Sequence, residues 1–145
     1  MQLTMFTDYS LRVLIYLGHT NENATAQEIA RNFKMSKNHV VKVIHRLSQE
    51  ELIHTTKGRG GGLALAPSTA KLSIYEIVMK TEPNFHLVEC FNLKTNRCPI
   101  AGFCDLERVL YSARAAFFDV LKKTTLEDLL NSPNRAKKMA KLRIG

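Results

Sequence analysis

A mainly α-helical fold with a small β wing, a winged helix-turn-helix followed by a long dimerisation helix, is predicted by three observations. Two short amphipathic segments are parted by a turn of three to four residues, a glycine-rich basic stretch flanked by apolar runs comes next, and one later segment repeats apolar residues alternately four and three apart. With 145 residues, 45% apolar and 23% charged, the chain has the balance of a soluble protein that buries one modest core.

The first helix is expected to begin near Thr7, with Val13, Leu14 and Leu17 on one face, and to stop before Gly18 and the polar turn from His19 to Asn23. Thr25 opens a second helix with Glu28 three residues on, a capping box in which each side chain satisfies a backbone donor left over at the helix start. Ile29, Ala30 and Phe33 supply its buried side. The turn at Lys34 and Met35 leads to Ser36, suited to an N-cap, and to a third helix whose Val40, Val43, Ile44 and Leu47 face inward. Lys34 stands where such turns often carry glycine, so a larger residue must accept a left-handed conformation there.

Leu52 to Thr56, the basic glycine-rich tip Lys57 to Gly62, and Leu63 to Ala66 read as a two-stranded hairpin, the wing. The glycines do not make a dinucleotide fingerprint, because Gly58-Arg59-Gly60 would need a third glycine at Leu63 and a helix behind it, and no phosphate loop ending in Gly-Lys-Ser or Gly-Lys-Thr is present. Ser73 and Glu76 form another capping box for a helix to about Met79, stopped by Pro83. From Glu82 to Phe103 little is periodic.

Asp105 begins the longest helix, in which Leu106, Leu110, Ala113, Phe117 and Val120 form a coiled-coil seam that needs a partner, either its own domain or a second copy. Thr125 and Asp128 open a last short helix ending near Asn131, before Pro133. The expected organisation is a winged helix-turn-helix over 1–80, a loop over 81–104, the dimerisation helix with the short helix over 105–131, and a basic tail over 132–145.

Lys and Arg number 21 against 13 Asp and Glu, a formal +8, which favours a polyanionic partner because neutralising phosphates releases condensed counterions. The placement says more: from Arg31 to Arg59 lie seven basic residues, opposed only by Glu50 and Glu51. Ser36, Lys37, Asn38, His39 and Lys42 on the outer face of the third helix are candidates for major-groove bases or phosphates of a double-stranded operator, Arg59 on the wing for a narrow, A·T-rich minor groove, and Lys57 beside it for DNA contact. For any one of them the bland alternative is a solvated face. No stretch approaches the roughly 18 to 20 apolar residues of a membrane span, and the N-terminus lacks a signal pattern, so the cytoplasm is the expected compartment.

All three cysteines, Cys90, Cys98 and Cys104, fall in one fifteen-residue window of the aperiodic loop. In a reducing compartment an odd, clustered set suits metal better than a disulfide framework. The spacing is too loose for the paired knuckles of structural zinc and too wide for a redox couple. Iron-sulfur clusters usually take four protein ligands, so three cysteines leave one position for a carboxylate, an imidazole or a small molecule. A cluster, a zinc ion and unliganded buried thiols all remain open at this point. Catalysis fares worse: a nucleophilic cysteine would want a positioned base such as His86, and there is no paired-carboxylate, His-Glu-x-x-His or serine-elbow pattern. No enzyme is expected. Asp8 reads as an acid complementing the first helix's dipole.

Several segments together carry a resemblance: Met1-Gln2-Leu3-Thr4 with Phe6-Thr7-Asp8-Tyr9-Ser10-Leu11-Arg12, then Met35 to Lys42, Lys57 to Leu63, Leu87-Val88-Glu89-Cys90, and Cys98-Pro99-Ile100 through Cys104-Asp105-Leu106. With these the chain, to about Leu130, resembles the nitric-oxide-sensing repressors among the winged-helix iron-sulfur regulators, the family that also contains IscR. The resemblance implies a homodimer with one cluster per subunit, held by Cys90, Cys98 and Cys104, with Asp8 reaching across from the partner subunit as the fourth ligand. It implies 4Fe-4S, with 2Fe-2S as the alternative, and loss of operator binding when nitric oxide attacks the cluster. Arg12, one turn after Asp8, is placed to hold that carboxylate. IscR-like members carry a histidine three residues after the last cysteine, where this chain has Glu107. The rival expectations are an iron or redox sensor of the same family and, from other classes, a zinc- or thiol-based interaction module or enzyme.

Overall fold

The computed structural model describes residues 2–20, 23–58 and 60–132, so Arg59 on the wing and nearly all of the basic tail lie outside the described residues. Helix α1 (Met5–His19) starts two residues earlier than its apolar spacing predicts. The cause is Thr4, whose hydroxyl accepts the Thr7 N–H at 3.3 Å and whose own N–H and hydroxyl both donate to Glu82 Oε2 at 3.0 Å. That N-cap closes the first turn before the apolar stripe begins.

Thr25 and Glu28 form the expected reciprocal box at the start of α2 (Ala26–Asn32), with bonds of 2.7 and 3.2 Å. The turn to α3 (Lys37–Gln49) does place Lys34 in the left-handed region, at φ 54°. Ser36 occupies the N-cap position with extended backbone, but its side chain makes no capping bond. Helices α1, α2 and α3 bury Val13, Leu14, Ile29, Val40, Val43 and Leu47 together at 0–1% exposure, so apolar burial fixes how α3 is presented.

Strands β1 (Ile53–Thr56) and β2 (Gly62–Leu65) pair antiparallel from Ile53↔Leu65 to Thr56↔Gly62. Ala24 adds a bridge to Leu63, with mutual backbone bonds of 3.0 and 2.8 Å, which fastens the wing to the entrance of α2. Gly61 permits the tight return: a Cβ there would stand 2.2 Å from the Thr56 carbonyl oxygen.

Helix α4 (Ile74–Thr81) is capped by the Ser73–Glu76 box and runs two residues beyond Met79 before Glu82 ends it. A short 3-10 turn, Glu89–Phe91, interrupts the following loop. Helices α5 (Asp105–Lys122) and α6 (Leu126–Leu130) are the last elements among the described residues. Backbone bonds from Ile74 to Thr124 and from Leu126 to Leu72, 2.8 and 2.9 Å, return α6 to the body, where Leu126 is fully buried.

No residue of α5 is fully buried. Its apolar residues divide differently from the seam predicted above: Leu110 and Phe117 are half-buried against their own chain, whereas Leu106, Val109, Ala113, Ala116 and Val120 are exposed in a single stripe at heptad spacing. The two stripes share Leu106, Ala113 and Val120 and differ only in Val109 for Leu110 and Ala116 for Phe117; both fit a heptad, and only the packing of the rest of the chain tells them apart. No described helix is long and apolar enough to cross a membrane.

Candidate functional site

The loop after α4 carries its cysteines on three separate supports. Cys90 sits in the 3-10 turn and is buried; the next residue, Phe91, stacks on Tyr111 of α5 with centroids 4.1 Å apart. Cys98 has its N–H bound by Asn96 Oδ1 at 2.9 Å, a local turn that sets the backbone direction. Cys104 is the N-cap residue of α5, and its thiol makes no capping bond. All three line one cavity of about 190 Å³, together with Glu107 and Leu110.

Burial pushes the Cys90 thiol above its ordinary range, and the Glu107 carboxylate and the other two cysteines push the same way. A bound cation would reverse that balance and favour the thiolate. Glu107 is itself fixed, because its Oε2 accepts the Gly102 N–H at 2.8 Å. Among the described residues no three His, Cys, Asp or Glu side chains stand close enough together to hold a single metal ion. Thiolates are the usual ligands of iron-sulfur clusters, and three of them around one shared cavity form a donor set that would fit such a group.

Asp8 does not line this cavity. It lies in the first turn of α1, in a separate recess with Arg12, Tyr9 and Lys34. Arg12 grips it in bidentate fashion, Nη2 to Oδ2 at 2.6 Å and Nε to Oδ1 at 3.0 Å. The same guanidinium stands 6.0 Å from the Tyr9 ring, and Tyr9 in turn packs against His39 of α3 at 6.3 Å between centroids.

On α3 the inward residues leave Ser36, Lys37, Asn38, His39 and Lys42 all exposed on the opposite side, joined by Val41. Lys57 is exposed just beyond β1. The wing tip is held by Asn23, whose Nδ2 donates to the Gly60 carbonyl at 3.1 Å.

The sequence pattern of Rrf2, described as an iron-dependent transcriptional regulator, matches residues 3–132. The chain belongs to the Rrf2 family. It is 43% identical over 145 residues to the HTH-type transcriptional regulator NsrR of Bacillus subtilis, covering 99% of both chains. To the NsrR of Shouchella clausii it is 44% identical over 132 residues, covering 90% of this chain and 89% of that one. Among solved structures, a transcriptional regulator from Listeria innocua superposes with a TM-score of 0.73 at 24% identity, covering 92% of this chain and 88% of that one. The T. potens IscR superposes with a TM-score of 0.70 at 17% identity, covering 90% and 86%. At these identities the solved structures establish the fold, a helical Rrf2 architecture with a two-stranded sheet. Like its Rrf2 relatives, the chain is a transcriptional regulator and not an enzyme.

Three supports of this Rrf2 site escape the sequence patterns. Arg114 lies over Phe91 and Tyr111 at 4.4 and 4.9 Å and donates to the Phe85 carbonyl at 3.3 Å. Glu82 caps the helix that bears Asp8. Glu50, Arg46 and Lys80 join α3 to α4. These contacts join residues 23 or more positions apart or act through the backbone, except Arg46–Glu50 at i,i+4 and Arg114–Tyr111 at i,i+3, whose spacings were the available signals.

Proposed function

We propose that the chain is a homodimeric DNA-binding repressor that senses nitric oxide through an iron-sulfur cluster, 4Fe-4S by preference over 2Fe-2S. Cys90, Cys98 and Cys104 would hold the cluster, with Asp8 of the partner subunit as the fourth ligand and Arg12 orienting that carboxylate. The observation that carries this reading is the single cavity lined by all three thiols, from which the chain's own Asp8 is absent.

The exposed heptad stripe of α5 supports the dimer. In this reading residues 1–80 read DNA, 81–104 hold the cluster and 105–131 pair the subunits. Ser36, Lys37, Asn38, His39 and Lys42 meet the major groove or its phosphates, and Lys57 and Arg59 meet the flanking backbone or minor groove. The cluster, when bound, supplies irons that react with nitric oxide. The protein's part is mechanical: Asp8 ties α1 of one subunit to the cysteine loop of the other, so the spacing of the two α3 helices is set while the tie holds. Once Asp8 is released, Arg12 keeps it as an internal ion pair, the spacing relaxes, and two half-sites one helical turn apart are no longer matched.

Anaerobic purification followed by an absorption spectrum and iron and sulfide analysis tests the reading. A brown protein with iron and sulfide in cluster proportion is expected, together with loss of both in a Cys98→Ala variant. A colourless protein holding zinc would overturn it. The iron dependence in the family description favours a second reading, a sensor of iron supply that responds to the presence of the cluster; operator binding insensitive to nitric oxide but lost on iron depletion would select it.

A further inference from the structure

The C-terminal ends of α3 and α4 are locked together by three side chains. Glu50, the C-cap residue of α3, receives Lys80 Nζ on one carboxylate oxygen at 2.8 Å and Arg46 Nη2 on the other at 2.9 Å. The same Arg46 nitrogen reaches the Lys80 carbonyl at 3.3 Å, one of the carbonyls that the end of a helix leaves without a partner of its own. Both the side chain and the backbone of Lys80 are therefore tied to α3. The hydrogen bond from Lys80 holds the Glu50 carboxyl below its ordinary value of 4.5, against the opposing pull of burial, so the carboxylate is charged at neutral pH.

Lys80 occupies the last turn of α4, and the chain passes directly from there into the loop that carries Cys90. Helix α4 packs against α1 and α5; to α3 it is joined through this polar lock. The 13 residues of α3 make a rod about 20 Å long, with the exposed reading residues at the far end from Glu50. A tilt of roughly 5° at the locked end would move the reading end by nearly 2 Å, more than the tolerance of a base-edge hydrogen bond.

We propose that Lys80 is a positioning residue for operator recognition: through Glu50 and Arg46 it sets the tilt of α3 on α4, and it carries displacements of the cysteine loop to the residues that meet DNA. The proposal rests on the cluster-sensing reading. It adds the route by which one subunit's loop reaches its own reading helix.

The test uses the full-length protein and a duplex selected by the wild type from a randomised pool. Binding is measured for anaerobically prepared, cluster-containing protein and for protein stripped by a chelator. Lys80→Met keeps the aliphatic stem and removes the charge. It should weaken binding by the cluster-containing form on the order of threefold, the size expected for a partly exposed ion pair, and leave the stripped form unchanged. Glu50→Gln should do the same, the double variant should lose no more than either single one, and Lys80→Arg should bind as the wild type does.

An unchanged ratio between the two forms in Lys80→Met, with wild-type cluster absorption and thermal midpoint, would overturn the proposal while leaving the cluster-sensing reading intact. Equal weakening of both forms would reduce Lys80 to a purely structural role and overturn it as well. Equal binding by the two wild-type forms would refute the cluster-sensing reading itself, and transmission along with it.

Discussion

The ring of Phe91 lies nearly flat on that of Tyr111, with centroids 4.1 Å apart and planes 13° from parallel. Since Phe91 follows Cys90 directly, this stack fixes the buried cysteine to α5, and the Arg114 guanidinium covers both rings at 4.4 and 4.9 Å. Arg114→Met keeps the bulk but removes the cation and its bond to the Phe85 carbonyl. The expected cost is about 1–2 kcal/mol in urea unfolding, with faster modification of Cys90 by a thiol reagent in metal-free protein. Unchanged stability and reactivity would mean the stack holds Cys90 without Arg114.

The exposed apolar stripe on α5 predicts where association fails. Leu106, Val109 and Val120 are 62%, 62% and 64% exposed in the single chain, and Ala113 lies at the centre of the stripe. In the proposed dimer, Ala113→Glu would bury a carboxylate against its own symmetry mate, costing about 3 kcal/mol or more and weakening association over a hundredfold. Sedimentation equilibrium should report a monomer of normal helical content. A dimer that survives the substitution would place the subunit contact elsewhere.

Stability should decline in acid. Glu76 and Asp128 have their carboxyls held below the ordinary values of 4.5 and 3.8, Glu76 mainly by the Ser73 hydroxyl and Asp128 mainly by the Thr125 backbone N–H. Glu50 is lowered too, mainly by Lys80. A carboxyl whose folded value is depressed stabilises the fold above its unfolded value, and that contribution is lost as the pH falls through the folded value. The thermal midpoint should therefore hold steady above about pH 5 and fall below the mid-4 range. Glu76→Gln and Asp128→Asn together should flatten that fall, as followed by circular dichroism across pH.

The local elements were legible because they depend on neighbours in sequence. Both capping boxes at Thr25–Glu28 and Ser73–Glu76 form, and Lys34 takes the left-handed turn that its position demanded. The start of α1 was legible in part: Thr4 caps Thr7 three residues on, a local pattern the apolar spacing alone passes over, while the bonds that hold Thr4 run to Glu82, 78 positions away. The free face of α5 was half legible: heptad spacing marks the helix, but which of two adjacent stripes stays exposed is decided by what covers Leu110 and Phe117. The spacing of the cysteines showed that sulfur was gathered there, while their common cavity required the stack beneath Cys90 and the helix start at Cys104. Arg59, named for the wing, lies outside the described residues.

The affinity of anaerobically prepared protein for its selected duplex, measured before and after stepwise addition of nitric oxide at fixed salt, tests the sensing claim most directly. Affinity should fall tenfold or more, on the order of 1.4 kcal/mol, as the cluster absorption is lost. Loss of that absorption with duplex affinity unchanged would contradict it.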